Sequence, residues 1–162
     1  MPLLSTPPEL IRIANAIAKS KGRSILVGGA VRDHCIGRKS LKDFDVEIFG
    51  ISPEVLESVL QNFGNIHAVG KSFGVLKLKT SSAEYDFSLP RRENRTGKGH
   101  RGFMVTPDST MSYREAASRR DFTVNSIGYD LLTKTLLDPF DGLGDIKHKI
   151  LRHVGPAFAE DP

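Results

Sequence analysis

Asp43-Phe44-Asp45-Val46-Glu47-Ile48 alternates acidic and apolar side chains. A strand sends successive side chains to opposite faces, so this stretch predicts a ribbon with Phe44, Val46 and Ile48 on a core and three carboxylates on the other face. Like charges on one face repel, and the pattern calls for a chemical reason. Asp43 and Asp45, at i and i+2, leave the same face close enough to share or bridge divalent cations. Two such ions about 3.5–4 Å apart would stabilise both the attacking and the leaving oxygen of a phosphoryl displacement. The alternative is a solvated strand face, or pairing with lysines such as Lys42.

Upstream, Leu10, Ile11, Ile13, Ala14, Ile17 and Ala18 recur at helical spacing and predict a helix over Pro8 to Ser20, ended by Gly22. Ser24 to Val27 predicts a short strand, stopped by Gly28-Gly29, and Ala30 to Ile36 a short helix closed by Gly37. In this strand, turn, helix sequence the Gly28 and Gly29 amides could receive a phosphate with no side chain in the way. An ordinary tight turn is the other reading.

Downstream, Ser52-Pro53-Glu54 opens a helix expected to run to about Asn62, stopped by Gly64. Strands are expected at Phe73 to Lys79 and Glu84 to Leu89, the second placing Asp86 opposite its apolar face. Asp86 is the natural third carboxylate, as ligand or base, with Glu84 competing for that role. Arg91 to Pro107 has no period and reads as an exposed loop. Ser112-Tyr113-Arg114-Glu115 forms a capping box that opens a further helix. Short elements follow: Asp121 to Ser126, strands near Ile127 to Leu131 and at Leu136-Leu137, and a last helix capped by Asp145. Strands and helices mixed without strict alternation indicate an α+β fold.

Arg119-Arg120-Asp121, followed by Phe122-Thr123-Val124-Asn125, sets two guanidinium groups beside an acid. The planar fork of arginine suits a phosphate or a ribose edge; a surface ion pair with a helix cap at Asp121 is the alternative. The five histidines have no metal-ligand spacing and no paired nucleophile, and the single cysteine, Cys35, excludes an intrachain disulfide. A buried, inert thiol is expected there, and a reducing cytoplasm suits it.

The 162 residues fit one domain able to bury a core unaided. The first nine residues lack a basic-then-apolar signal pattern, and no apolar run approaches the roughly 20 residues needed to span a bilayer. The expectation is a cytoplasmic protein with no membrane partner. A net charge of +4 favours a polyanionic partner, and the basic residues crowd into Arg91 to Arg120.

Taken in order, Val27-Gly28-Gly29-Ala30-Val31-Arg32-Asp33, Asp43-Phe44-Asp45, Arg119 to Asn125 and Asp138-Pro139-Phe140-Asp141-Gly142 form a recognisable set. The set resembles the head domain of class II CCA-adding enzymes and bacterial poly(A) polymerases, members of the DNA polymerase beta superfamily, from Ser24 onward. The resemblance implies the nucleotidyltransferase fold, a small mixed sheet flanked by helices. Gly28, Gly29 and Arg32 would meet a nucleoside triphosphate, ATP or CTP, and Asp43 and Asp45 would hold magnesium. Asp86 would be a third catalytic acid where the family often has glutamate. Arg120, Asp121 and Asn125 would face the sugar and phosphates and select ribonucleotides, and Thr96 to Gly102 looks like the family's flexible loop.

One departure is large. The family's Glu-Asp-x-x-Arg helix reads the incoming base, with neck, body and tail domains holding tRNA, whereas here the sequence reaches Glu160-Asp161-Pro162 without that arginine. The chain is therefore expected to be a single head domain over residues 1–162. It would be either part of a longer enzyme or a minimal protein working alone or with a separate RNA-binding partner. Isolated, it is expected to be weakly active and to choose poorly between CTP and ATP. The implied reaction is nucleotide addition to the 3′ end of a tRNA or other RNA, with CCA addition or poly(A) addition as forms. A nucleotide- or RNA-binding module without turnover, and a nucleotidyltransferase acting on small molecules, are the alternatives.

Overall fold

The computed structural model describes residues 4–37, 44–67, 75–95 and 103–154. Nine strands run in the order β1 (Arg23–Val27), β2 (Phe44–Phe49), β3 (Asn65–His67), β4 (Val75–Lys79), β5 (Glu84–Ser88), β6 (Arg91–Arg95), β7 (Phe103–Pro107), β8 (Gly128–Asp130) and β9 (Thr135–Leu137). Five helices, α1 (Pro8–Lys19), α2 (Gly29–Cys35), α3 (Pro53–Leu60), α4 (Tyr113–Ala117) and α5 (Gly142–Lys147), and a 3-10 helix over Thr123–Asn125 complete the described elements.

Seven strands form one sheet in the order β3-β4-β5-β2-β1-β8-β9, while β6 and β7 pair separately as a hairpin. Only β2 with β5 is parallel among the described pairs; the others are antiparallel. A mixed sheet with helices is the expected α+β architecture. The parallel pair sets Asp45 directly opposite Asp86, while the antiparallel pair beside it sets Asp45 opposite Val27, the residue before the glycine turn. Strand pairing alone thus gathers three segments far apart in the chain.

The period of two divides the core. Leu26, Val46, Ile48, Leu78, Tyr85 and Phe87 join the main cluster with Leu10, Ile13 and Ile17 of α1 and Leu56 and Leu60 of α3. The apolar residues of α1 recur at i, i+3, i+4 and i+7 and are buried, as an amphipathic helix requires. Ile25, Val27 and Phe49 join a smaller cluster with Met111 and Ala116. The acids of β2 share that second, thinly covered face.

Local chemistry sets the helix boundaries. The Ser52 hydroxyl accepts from the Val55 amide at 3.2 Å and starts α3, and the Ser112 hydroxyl accepts from the Glu115 amide at 3.2 Å and starts α4. α5 corrects the sequence reading. Its cap is Asp141, in the left-handed region, whose carboxylate accepts from the Gly144 amide. Asp145 instead lies buried in the first turn and accepts the Thr123 hydroxyl at 2.6 Å.

A second correction concerns Arg91 to Pro107. Its two ends pair as β6 and β7, with Arg91 opposite Pro107 and Arg95 opposite Phe103. Backbone pairing needs no apolar alternation, and Phe103-Met104-Val105-Thr106 is rich in strand-forming residues. The loop expected at Thr96 to Gly102 lies outside the described residues, as do Asp43, Lys42 and the Glu160-Asp161-Pro162 end. Of the strand expected at Phe73 to Lys79, the described part is Val75–Lys79. β3 was not anticipated; its pattern is exposed, partly exposed, exposed, which carries no apolar signal. No helix among the described residues is long and apolar enough to cross a membrane.

α1 is tied to the β4–β5 turn by one carboxylate. Glu9 Oε2 accepts the hydroxyls of Ser82 at 2.8 Å, Thr80 at 3.0 Å and Tyr85 at 3.0 Å. Burial alone would raise this carboxyl, but the three hydroxyl donors and Arg12 carry it below the ordinary range. A carboxyl depressed on folding adds stability above its unfolded pKa and loses it as pH falls through the folded value. Glu9→Gln is therefore expected to lower the thermal midpoint at neutral pH and to lose less on acidification from about pH 5 to about pH 3. Thermal denaturation of both proteins at each pH checks it; parallel curves would refute it.

Candidate active site

Arg32, on α2, points its Nη1 at Asn125 Oδ1 across 3.0 Å, joining the helix after the glycine turn to the 3-10 helix. Asp33 accepts from Arg32 Nε at 3.3 Å and holds the guanidinium from the other side. Asn125 in turn donates to Asp121 Oδ1 at 2.9 Å, which also accepts the Phe122 amide at 2.7 Å. The result is a continuous polar wall, Asp33-Arg32-Asn125-Asp121. Burial pushes the Asp121 carboxyl up, but the Asn125 and backbone donors and the Arg120 charge outweigh it and hold the group ionised below its usual range.

This wall borders a cleft of about 420 Å³ lined by Gly28, Gly29, Arg32, Arg119, Arg120, Asp121 and Asn125. That volume lies within the range of small-molecule sites, roughly 300–1,000 Å³. The six residues expected to face a nucleotide all line it. Arg119, the other guanidinium of that arginine pair, lines it as well. Three guanidinium groups against one carboxylate make the cleft suited to an anion.

The floor of the turn is set by Gly28, whose φ of 77° and ψ of −151° are conformations that side-chain-bearing residues rarely adopt. A Cβ there would stand 3.3 Å from Asp45 Oδ2. The glycine thus permits the Asp45 carboxylate to approach the turn.

Asp45 is exposed and Asp86 partly exposed, side by side on β2 and β5. Lys77, opposite Asp86 on β4, lies 3.8 Å away with 41% of each side chain exposed, a pairing that water screens strongly. Glu84, the competitor for the third acid, pairs in register with Lys79 on the far side of β5. Neither Asp45 nor Asp86 belongs to the cleft lining; Asp45 meets it through Gly28. No group of three metal-ligating side chains occurs among the described residues. Two adjacent, solvent-accessible carboxylates nonetheless suit magnesium, which keeps several waters and takes one or two carboxylates plus substrate phosphates.

The third acid of the alternating strand, Glu47, is buried and not solvated as the rest of that face would suggest. Its carboxylate lies 3.7 Å from Arg120 Nη2. Burial pushes its carboxyl above the ordinary range, and the Arg120 and Arg91 charges offset only part of that rise.

The wall is braced from behind. The Thr123 amide donates to the Arg152 carbonyl at 2.9 Å and the Val154 amide to the Asp121 carbonyl at 3.0 Å, with Phe122 bridged to His153. The Tyr113 hydroxyl donates to the Ser126 carbonyl at 3.0 Å. Cys35 is half-buried, and burial followed by the Asp138 charge pushes its thiol up to about 11, which leaves it a poor nucleophile.

Residues 24–152 match the sequence profile of the poly A polymerase head domain. The chain is 43% identical over 140 residues to the multifunctional CCA protein of Xylella fastidiosa (strain 9a5c), covering 86% of this chain and 32% of that protein. It is 44% identical over 137 residues to the multifunctional CCA protein of Stenotrophomonas maltophilia (strain R551-3), covering 85% of this chain and 32% of that protein. Among solved structures, the Bacillus stearothermophilus CCA-adding enzyme in complex with CTP aligns with a TM-score of 0.75 at 28% identity, over 97% of this chain and 37% of that one. The chain spans about a third of the length of the curated relatives it matches.

Proposed function

The chain belongs to the poly A polymerase head domain family, and from that premise we propose that it is a template-independent RNA nucleotidyltransferase that adds nucleotides from CTP and ATP to a tRNA 3′ end. The observation that carries this reading is the arginine-lined cleft meeting the Asp45 carboxylate at Gly28. A triphosphate needs the first, and a phosphoryl displacement needs the second.

In this reading the Gly28 and Gly29 backbone and the guanidinium groups of Arg32 and Arg120 bind and orient the triphosphate. Positioning and charge stabilisation account for most catalysis of such transfers. Asp121 and Asn125, held to each other and to Arg32, present fixed polar edges to the ribose and favour ribonucleotides. Asp43 and Asp45 would hold magnesium, with Asp86 beside Asp45 as the third catalytic acid. When bound, such an ion would supply Lewis-acid stabilisation of the phosphoryl oxygens and lower the pKa of the attacking hydroxyl. A separate RNA-binding domain or protein would supply the grip on the tRNA body. We place the chain in the cytoplasm with this substrate.

The similarity to multifunctional CCA proteins favours CCA addition over poly(A) addition. The test offers tRNA lacking its terminal CCA, full-length tRNA and an unrelated RNA to the chain with each labelled triphosphate and magnesium. Labelled extension confined to the truncated tRNA is the expected result. Long adenosine tracts on any RNA would favour poly(A) addition, and labelling of no RNA would refute the proposal.

A further inference from the structure

Glu47 lies two residues along β2 from Asp45, 8% exposed, with Ile25 on one side and Ser88 on the other in the sheet register. Its Oε1 is enclosed and has no hydrogen-bond partner among the described residues. The Arg120 guanidinium stands 3.7 Å away, close enough to attract and too far to hydrogen-bond. A buried carboxylate in this condition is poor value for stability, since apolar replacements of buried ion pairs are often neutral or stabilising. Its partner, however, lines the cleft. Arginine has many rotamers, and ordering them at the moment of binding opposes affinity.

We propose that Glu47 is a positioning residue for the cleft: its buried carboxylate draws the Nη2 side of Arg120 toward the sheet and leaves the other N–H donors of the guanidinium ready for the triphosphate. The inference rests on the nucleotide-site reading given above. Arg91 adds a second positive charge to the surroundings of Glu47, and Tyr113 packs as a neutral phenol within the influence of both Glu47 and Arg120. The negative charge of Glu47 would by itself repel a triphosphate. Arg32 and Arg119 line the same cleft and offset that repulsion, so the ordering of Arg120 decides the sign.

The test measures CTP dissociation constants with magnesium, and thermal midpoints, for the full chain and for Glu47→Met, Arg120→Ala and the double variant. Methionine keeps the length of the side chain and removes the buried charge. The expected result is an unchanged or higher thermal midpoint with CTP binding weakened about tenfold, a loss that vanishes when Arg120 is already alanine. Equal or tighter binding by Glu47→Met, or a loss that persists in full without Arg120, overturns the inference. Should Glu47→Met fail to fold, Glu47→Gln, which keeps the shape of the group, undergoes the same comparison. A folded wild-type chain that binds no triphosphate overturns the nucleotide-site reading and the inference together, whereas tight wild-type binding that survives at Glu47→Met overturns the inference alone.

Discussion

Asp45→Asn is expected to lower the rate of nucleotide addition by roughly 10³-fold, the scale on which a principal charge-stabilising group is lost, and to leave the thermal midpoint unchanged or slightly raised. Asparagine matches the shape of aspartate but lacks the charge that would hold a divalent cation. Asp45 is exposed, so water solvates either side chain at this position. Its neighbour in the parallel pair is another carboxylate, Asp86, so removing one charge relieves repulsion. A general weakening of the protein would move both measurements together. Single-turnover addition of labelled CTP, read beside thermal denaturation, separates the two. Unimpaired addition would show that this acid takes no part in the chemistry.

Gly28→Ala carries the second large effect. Its backbone lies where L residues are strained, at a cost of about 1–3 kcal/mol. The added Cβ also comes to 3.3 Å from Asp45 Oδ2, so either the turn or the carboxylate must give. The variant is expected to lose stability of that order and, at a temperature where it stays folded, to add nucleotide at least tenfold more slowly. Gly37→Ala is the comparison: it also has a positive φ, at 89°, but no described residue lies within 4 Å of its Cβ, so strain is expected to dominate. Equal rates in the two variants would show that the approach of Asp45 to the turn is immaterial.

The sequence made the cleft legible because its parts are local. Gly28, Gly29 and Arg32 sit in one short motif, and Arg120, Asp121 and Asn125 in another, so recognising two motifs was enough to name the residues that meet. Asp86 was legible by alternation, since Tyr85 and Phe87 define the buried face of β5. Glu47 was not. Alternation assigns a side chain to a face, but what covers the face depends on distant segments, and here Arg120 stands over a carboxylate that spacing alone would leave in water. The β6–β7 hairpin was hidden for a different reason: its register is a backbone matter, and its first strand, Arg91-Arg92-Glu93-Asn94-Arg95, carries no apolar period. The α5 cap escaped because three aspartates crowd the same helix start: Asp138 takes the Gly142 and Leu143 amides and Asp141 the Gly144 amide, while Asp145 turns to Thr123.

The brace behind the polar wall bears on how the protein is born. Asp121 and Thr123 are tied to Arg152 and Val154, while the opposite lip of the cleft is built from Gly28 to Arg32. On a ribosome, the first lip emerges more than a hundred residues before the strap that steadies the second. The Arg32–Asn125 bond that joins the two lips spans 93 residues, and contacts so distant along the chain form late, so the nascent polypeptide completes most of its sheet before it owns a finished pocket.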